Sequence, residues 1–348
     1  MTTTRILGAS LALLALSASP PPTASRVAAS ADSFSASTLE SVIRQEVAEG
    51  FSGSVLVAKG DHVILSRGYG SIRDVPMRAD TRFWISSTGK QFVSAGILLL
   101  QEQHRLSLSD SIGRWLPEAP LDRASITILQ LLSHTSGIPQ GYEGEQAKSN
   151  SEAVRRILAV PLEAPIGQRF IYSNDNYQLA AAILERANGF TLREFEQRYF
   201  FRHLGLKDTG IENGPARVAP AHNATPQRLL DPSWGIEGHY SSAPDLFRWY
   251  RALRTGRVLD KSSLMQLWTP AVQIQEGQAA LGWFVSKTAL GTRRVWTRGN
   301  DDFGPNSLLY TYPDRDLVII ILTHAGQKND NVTYSRDLLP KLESALKV

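Results

Sequence analysis

The chain has 348 residues, with 37 Lys and Arg against 33 Asp and Glu and no cysteine. A formal net charge of +4 without a dense basic run gives no sign of nucleic-acid binding. Without cysteine there is no disulfide framework and no thiol for lipid attachment, so the core alone must hold the fold together.

The first residues combine Arg5, an apolar stretch from Ile6 to about Ala18, and a small-residue run ending in Ala29-Ser30-Ala31. A charged start, an apolar stretch too short and too Ala/Ser-rich to span a bilayer, and an A-x-A-like end predict a secretory signal peptide over 1–31. A retained N-terminal anchor is the alternative. Cleavage after Ala31 would give a secreted or periplasmic protein with no membrane span. It would also remove Arg5 and Arg26, so that 37 basic residues against 33 acidic become 35 against 33. The remaining 32–348, about 317 residues, fits one large domain or two interleaved ones.

Residues 35–50, "SASTLESVIRQEVAEG", place Leu39, Val42, Ile43 and Val47 at three- and four-residue spacing before a closing Gly, which predicts an amphipathic helix. Two β-branched runs then flank Lys59-Gly60-Asp61, a hairpin. Helical patterns dominate from Lys90 to about Leu204, and another follows at 243–256. Strand signals return at 293–298, 306–312 and 316–324, before a closing helix over 333–347 that Pro340 should bend or interrupt. The expectation is an α+β fold. A five-stranded antiparallel sheet, flanked by the terminal helices, forms a lobe from about 35–82 and 257–348. A mostly helical lobe, about 83–256, is inserted into it, with a small-molecule cleft between the two.

The stretch "FWISSTGKQF" (83–92) hints at a phosphate loop, but position 84 is Trp rather than Gly and Lys90 is followed by Gln91. Ser87 and Lys90 instead have S-x-x-K spacing, one turn apart at the start of a strong helix. There a hydroxyl can face a cleft, with the free N–H groups and dipole of the helix end favouring negative charge. Spacing alone also allows a helix cap with a solvated Lys, and does not separate Ser87 from Ser86. In "YSNDNY" (172–177), Tyr172 could relay a proton and Asn174 could hold a substrate carbonyl; a polar turn capping the next helix is the plainer reading. His134, in "LLSHTSGIP", could be a base but fits better as a residue bonding backbone in its turn. No G-x-S-x-G, H-E-x-x-H or H-x-H pattern occurs, so neither an α/β-hydrolase elbow nor a metal site is indicated, and no cofactor is expected.

Taken in order, these segments resemble the serine β-lactamase-related family of class C β-lactamases, DD-carboxypeptidases, D-aminopeptidases and esterase relatives. The likeness runs from about residue 37 to 346. It is carried by "FWISSTGKQFVSAGILLLQEQHRLSLSDSIGRWLPE", "ITILQLLSHTSGIP", "PIGQRFIYSNDNYQLAAAILERANGFTLREF", "LGLKDTG", "GHYSSAPDLFRWYRAL" and "LGWFV". The resemblance aligns Ser87 with the nucleophile and Lys90 with its activating base. Where the family usually has Lys-Thr-Gly or His-x-Gly on the strand beside the cleft, this chain has Thr297-Arg298-Gly299. Thr297 can donate one hydrogen bond but brings no charge to meet a substrate carboxylate. By strand alternation, Arg298 faces away if Thr297 faces in. Gly299 keeps a close backbone approach, and the N–H of Asn300 could complete an oxyanion hole with that of Ser87. The resemblance implies a serine hydrolase working through a Ser87 acyl-enzyme on a small-molecule or peptide ester or amide, with esterase or amidase favoured over β-lactamase. A ligand-binding or penicillin-sensing module that deacylates slowly or not at all is the rival.

Overall fold

Along the first strand Val55 and Val57 point to one side and Leu56 and Ala58 to the other, and all four are buried. An antiparallel sheet covered on both faces explains this double burial. The computed structural model describes residues 35–72, 74–144, 147, 149–211, 219, 238–300, 306–324, 326–329 and 332–348. The segment expected to be a signal peptide lies outside them. No described helix is long and apolar enough to cross a membrane.

Among the described residues the sheet has eight strands, labelled β1 (Gly53–Lys59), β2 (His62–Tyr69), β3 (Val272–Ile274), β4 (Gly277–Ala279), β5 (Phe284–Lys287), β6 (Arg293–Asn300), β7 (Asn306–Tyr312) and β8 (Leu317–Thr323). Their spatial order is β2-β1-β8-β7-β6-β5-β4-β3, antiparallel throughout. The five expected strands form one contiguous block, from β2 to β6. Three short strands extend it beyond β6, a correction to the count. They are three or four residues long and half exposed, so their sequence carries no run of alternating apolar residues.

One face of the sheet carries Val55, Val57, Trp296, Tyr310 and Ile319 and packs on helices α1 (Ala36–Ala48) and α6 (Tyr334–Ala345) through Leu39, Ile43, Leu338 and Leu342. Pro340 does not interrupt α6. It sits on the exposed side, where water can reach a carbonyl that has lost its N–H partner. The other face, with Leu56, Val295, Leu309 and Ile320, meets the helical part of the chain. Helices α2 (Lys90–Glu102), α3 (Asn174–Asn188), α4 (Ala243–Arg254) and α5 (Lys261–Trp268) belong to that part. The sequence reading did not identify α5. A small three-stranded sheet, in which His239–Ser241 lies between Phe83–Trp84 and Gly210–Ile211, leads the chain into the turn before α2.

Candidate active site

Between Trp84 and α2 the backbone makes a 3₁₀ turn over Ser86–Gly89. Side chains three residues apart eclipse in such a turn, which stacks Lys90 over Ser87. Lys90 is buried, and its Nζ donates to Ser87 Oγ at 2.8 Å and to Asn174 Oδ1 at 2.7 Å. The Tyr172 hydroxyl is 2.6 Å from the same Ser87 Oγ. The Lys90 ammonium also lies over the rings of Tyr172 and Tyr177, 5.1 and 5.7 Å from their centroids, a favourable cation–π placement. Ser87, Lys90, Tyr172 and Asn174 thus meet from two segments more than eighty residues apart.

His134 fixes the Tyr172–Asn174 segment. Its carbonyl accepts the Ile171 N–H at 2.9 Å and its Nδ1 accepts the Ser173 N–H at 3.2 Å. Its ring lies 4.6 Å from that of Tyr172. It bonds backbone in its own turn, its N–H donating to the Leu131 carbonyl at 3.1 Å, while its carbonyl and ring bond the neighbouring segment. Burial, and then the nearby Lys90 charge, push its pKa down to about 3. The ring is therefore neutral, and an accepting Nδ1 leaves the proton on Nε2. Ser136 adds a second tie, donating to Asn176 Oδ1 at 2.6 Å.

The facing wall is the end of β6. Gly299 rests against the Ile85 carbonyl so closely that a Cβ would lie 2.0 Å from that oxygen. Ser307 on β7 donates to the Ile85 carbonyl at 2.7 Å and is 2.8 Å from Thr88 Oγ1, while Ser86 Oγ donates to the Asn300 carbonyl at 3.3 Å. These contacts lock the strand end onto the Ser86–Gly89 turn. Thr297 is buried. Arg298 takes the alternate side, over the Trp296 ring at 5.3 Å, and binds Glu276 through both carboxylate oxygens at 2.8 and 3.2 Å.

These walls enclose a cavity of about 750 Å³ lined by Ser87, Lys90, Tyr172, Asn174, Thr297 and Asn300. Aromatic side chains line it too, among them Tyr142, Phe170 and Trp283, as do Arg169, Arg298 and the β3–β4 turn with Gln275 and Glu276. Gly299 acts through close approach and is not itself a lining residue. The sequence reading missed Ser307, Glu276 and the β3–β4 turn, which only pairing in space connects to Ser87. Among the described residues one acidic trio, Glu46, Glu49 and Asp337, is close enough to hold an ion. Lys328 and Lys341 already pair with it and offset two of its three negative charges.

Comparison with known proteins agrees with this architecture. The family model described as Beta-lactamase matches residues 39–341. Penicillin-binding protein 4* of Bacillus subtilis (strain 168) is 27% identical over 333 residues, covering 85% of this chain and 72% of that protein. The structure of a penicillin binding protein from Bacillus halodurans superposes with a TM-score of 0.76 at 22% identity, covering 88% of this chain and 99% of the other. That of the D-amino acid amidase from Ochrobactrum anthropi SV3, complexed with L-phenylalanine, does so with a TM-score of 0.77 at 21% identity, covering 89% and 98%.

Proposed function

We propose, from the premise that this chain belongs to the β-lactamase family, that it is a serine hydrolase acting on uncharged esters or amides. The observation that carries this reading is the position of Ser87 Oγ between Lys90 Nζ and the Tyr172 hydroxyl.

In this reading Ser87 Oγ attacks the substrate carbonyl carbon and gives its proton to the Lys90–Tyr172 pair. Accepting it requires Lys90 as the free amine or Tyr172 as phenolate. The negative charge developing on the carbonyl oxygen is held by the backbone N–H groups of Ser87 and Asn300. The same pair returns the proton to the leaving group as the bond to it breaks, which yields the acyl-enzyme. Water then attacks the ester and gives a proton to the pair, which passes it to Ser87 Oγ as the acyl–oxygen bond breaks and the acid leaves. Asn174 Oδ1 accepts from Lys90 Nζ and so positions it, and the same side chain orients substrate. The locked strand end supports the oxyanion geometry, because it fixes the distance between β6 and the nucleophile turn.

Charge argues for neutral substrates. Thr297 brings none, and among the described residues the two arginines lining the cavity are already paired, Arg298 with Glu276 and Arg169 with Glu163 at 2.7 Å. A carboxylate arriving there would have to compete with an existing ion pair. This favours an esterase or amidase over an enzyme that grips penicillins by their carboxylate. The N-terminal 31 residues fit export to the periplasm or medium, followed by a domain over 32–348.

The deciding experiment is intact mass over time with an aryl acetate and with a penicillin, on the wild type and Ser87→Ala. Acetylation and turnover in the wild type, lost by at least ~10³-fold in Ser87→Ala, is the expected result. Equal turnover in both proteins would sink the assignment. An adduct that forms once and persists would identify instead the slowly deacylating sensor.

A further inference from the structure

Under the nucleophile turn lies a polar pair that this chemistry does not use. His239, on the strand His239–Ser241, and Glu196, at the end of the helix Leu192–Glu196, have no exposed surface. His239 Nε2 is 2.8 Å from Glu196 Oε2, and Glu196 Oε1 has no hydrogen-bond partner among the described residues. Burial raises the Glu196 carboxyl above the ordinary carboxylate range. Such a pair is a poor way to fill a core, since two apolar side chains of similar volume often serve stability as well or better.

His239 holds the turn at two points. Its carbonyl accepts the Ile85 N–H at 3.0 Å. Its ring abuts Gly89, where a Cβ would lie 2.5 Å from Nδ1, and stacks on Phe92 with centroids 5.5 Å apart and planes at 17°. Ile85 and Gly89 bracket Ser86, Ser87 and Thr88. Within that bracket Ser86 has φ +45°, a conformation that L-residues hold only when the surroundings enforce it. The ring that presses on Gly89 is in turn oriented by Glu196.

We propose that His239 and Glu196 are positioning residues for the nucleophile: they hold the Ser86–Gly89 turn so that Ser87 Oγ meets both Lys90 and Tyr172. The proposal rests on Ser87 being the reacting residue, yet it makes a structural claim that can fail separately. A displacement of about 1 Å at a reacting group can cost ~10²-fold in rate, so a modest shift of this turn should be visible in kcat.

The test compares Glu196→Gln, which keeps an oxygen for His239 to bond, with the double variant Glu196→Leu plus His239→Phe, an apolar filling that removes both members of the pair together. The double variant is expected to fold with an unchanged or higher Tm. Its kcat on an aryl acetate should fall at least ~10-fold with KM within ~3-fold, while Glu196→Gln stays within ~3-fold of wild type. In its crystal structure the Ser87–Lys90 and Ser87–Tyr172 contacts should exceed hydrogen-bonding distance. Retained contacts with unchanged kcat, or equal losses in both variants, would overturn the proposal. If the double variant does not fold, Glu196→Leu alone is read by the same criteria. The crystallographic readout decides the question even if the wild type proves to have no esterase activity, and that failure would count against the Ser87 reading instead.

Discussion

The two walls of the cavity are built on different physical terms. The helical wall is made of hydrogen bonds between buried and half-buried groups: Lys90 to Ser87 and Asn174, Tyr172 with Ser87, and the Ser173 N–H to His134. Lys90 has neutral oxygens as its hydrogen-bond partners there. The opposite wall carries its charges as ion pairs near solvent, with Arg298 on Glu276 and Glu276 also 3.3 Å from Arg336. Buried, mutually dependent bonds tolerate little change, whereas exposed pairs are worth ~1 kcal/mol or less and can be exchanged. In the proposed function chemistry belongs to the first wall and substrate preference to the second, and each of the following substitutions strains that division.

The largest effect is expected on the helical wall. Lys90→Met keeps a side chain of similar length but removes the group on Ser87 Oγ, so ester turnover should fall at least ~10³-fold in a protein that still folds. Turnover within ~10-fold of wild type would give Tyr172 alone the proton transfer.

Next comes the acid sensitivity of that wall. The pKa of His134 is depressed from 6.5 to about 3 in the folded protein. A group that binds its proton less readily when folded contributes stability that is complete above pH 6.5 and shrinks as pH falls towards 3. The contribution is of the order of a few kcal/mol. Urea midpoints at pH 7 and pH 4 should therefore differ more for the wild type than for His134→Gln. Equal differences would mean that His134 does not carry this linkage.

Gly299→Ala tests the seam between the walls. Its Cβ would meet the Ile85 carbonyl at 2.0 Å, so strand and turn must part. A loss of about 1–3 kcal/mol is expected from such overpacking, together with a fall in kcat, because the same movement separates the proposed oxyanion donors. A variant that is destabilised but fully active would show that the two N–H groups do not act together.

The smallest effect belongs to the outer wall. Glu276→Gln should change stability by ~1 kcal/mol or less, while improving turnover of a carboxylate-bearing aryl ester relative to a neutral one by ~2–10-fold as Arg298 is released. An unchanged ratio would remove the masking of Arg298 from the argument for neutral substrates.

Much of this was legible in the sequence, for reasons of period and spacing. Continuous β-branched runs mark β1 and β8 as strands, and S-x-x-K at a helix start fixes Ser87 and Lys90 relative to each other because a single turn determines their separation. The ordered segments around Tyr172 and Asn174 supply the remaining partners of Lys90. The short strands β3 to β5 were not legible, since three or four half-exposed residues do not establish a period.

Contacts made across the fold were decided by tertiary structure alone. Nothing in "GHYSSAPDL" announces that His239 presses on Gly89 or that Glu196 orients it, and nothing near position 276 announces a pairing with Arg298. Local sequence determines which side chains share a helix face or a strand face. Which buried polar groups then find one another depends on how separate elements pack, and here that packing brings Tyr172 and Asn174 to Ser87 and Lys90 and pairs Arg298 with Glu276 beside the cavity.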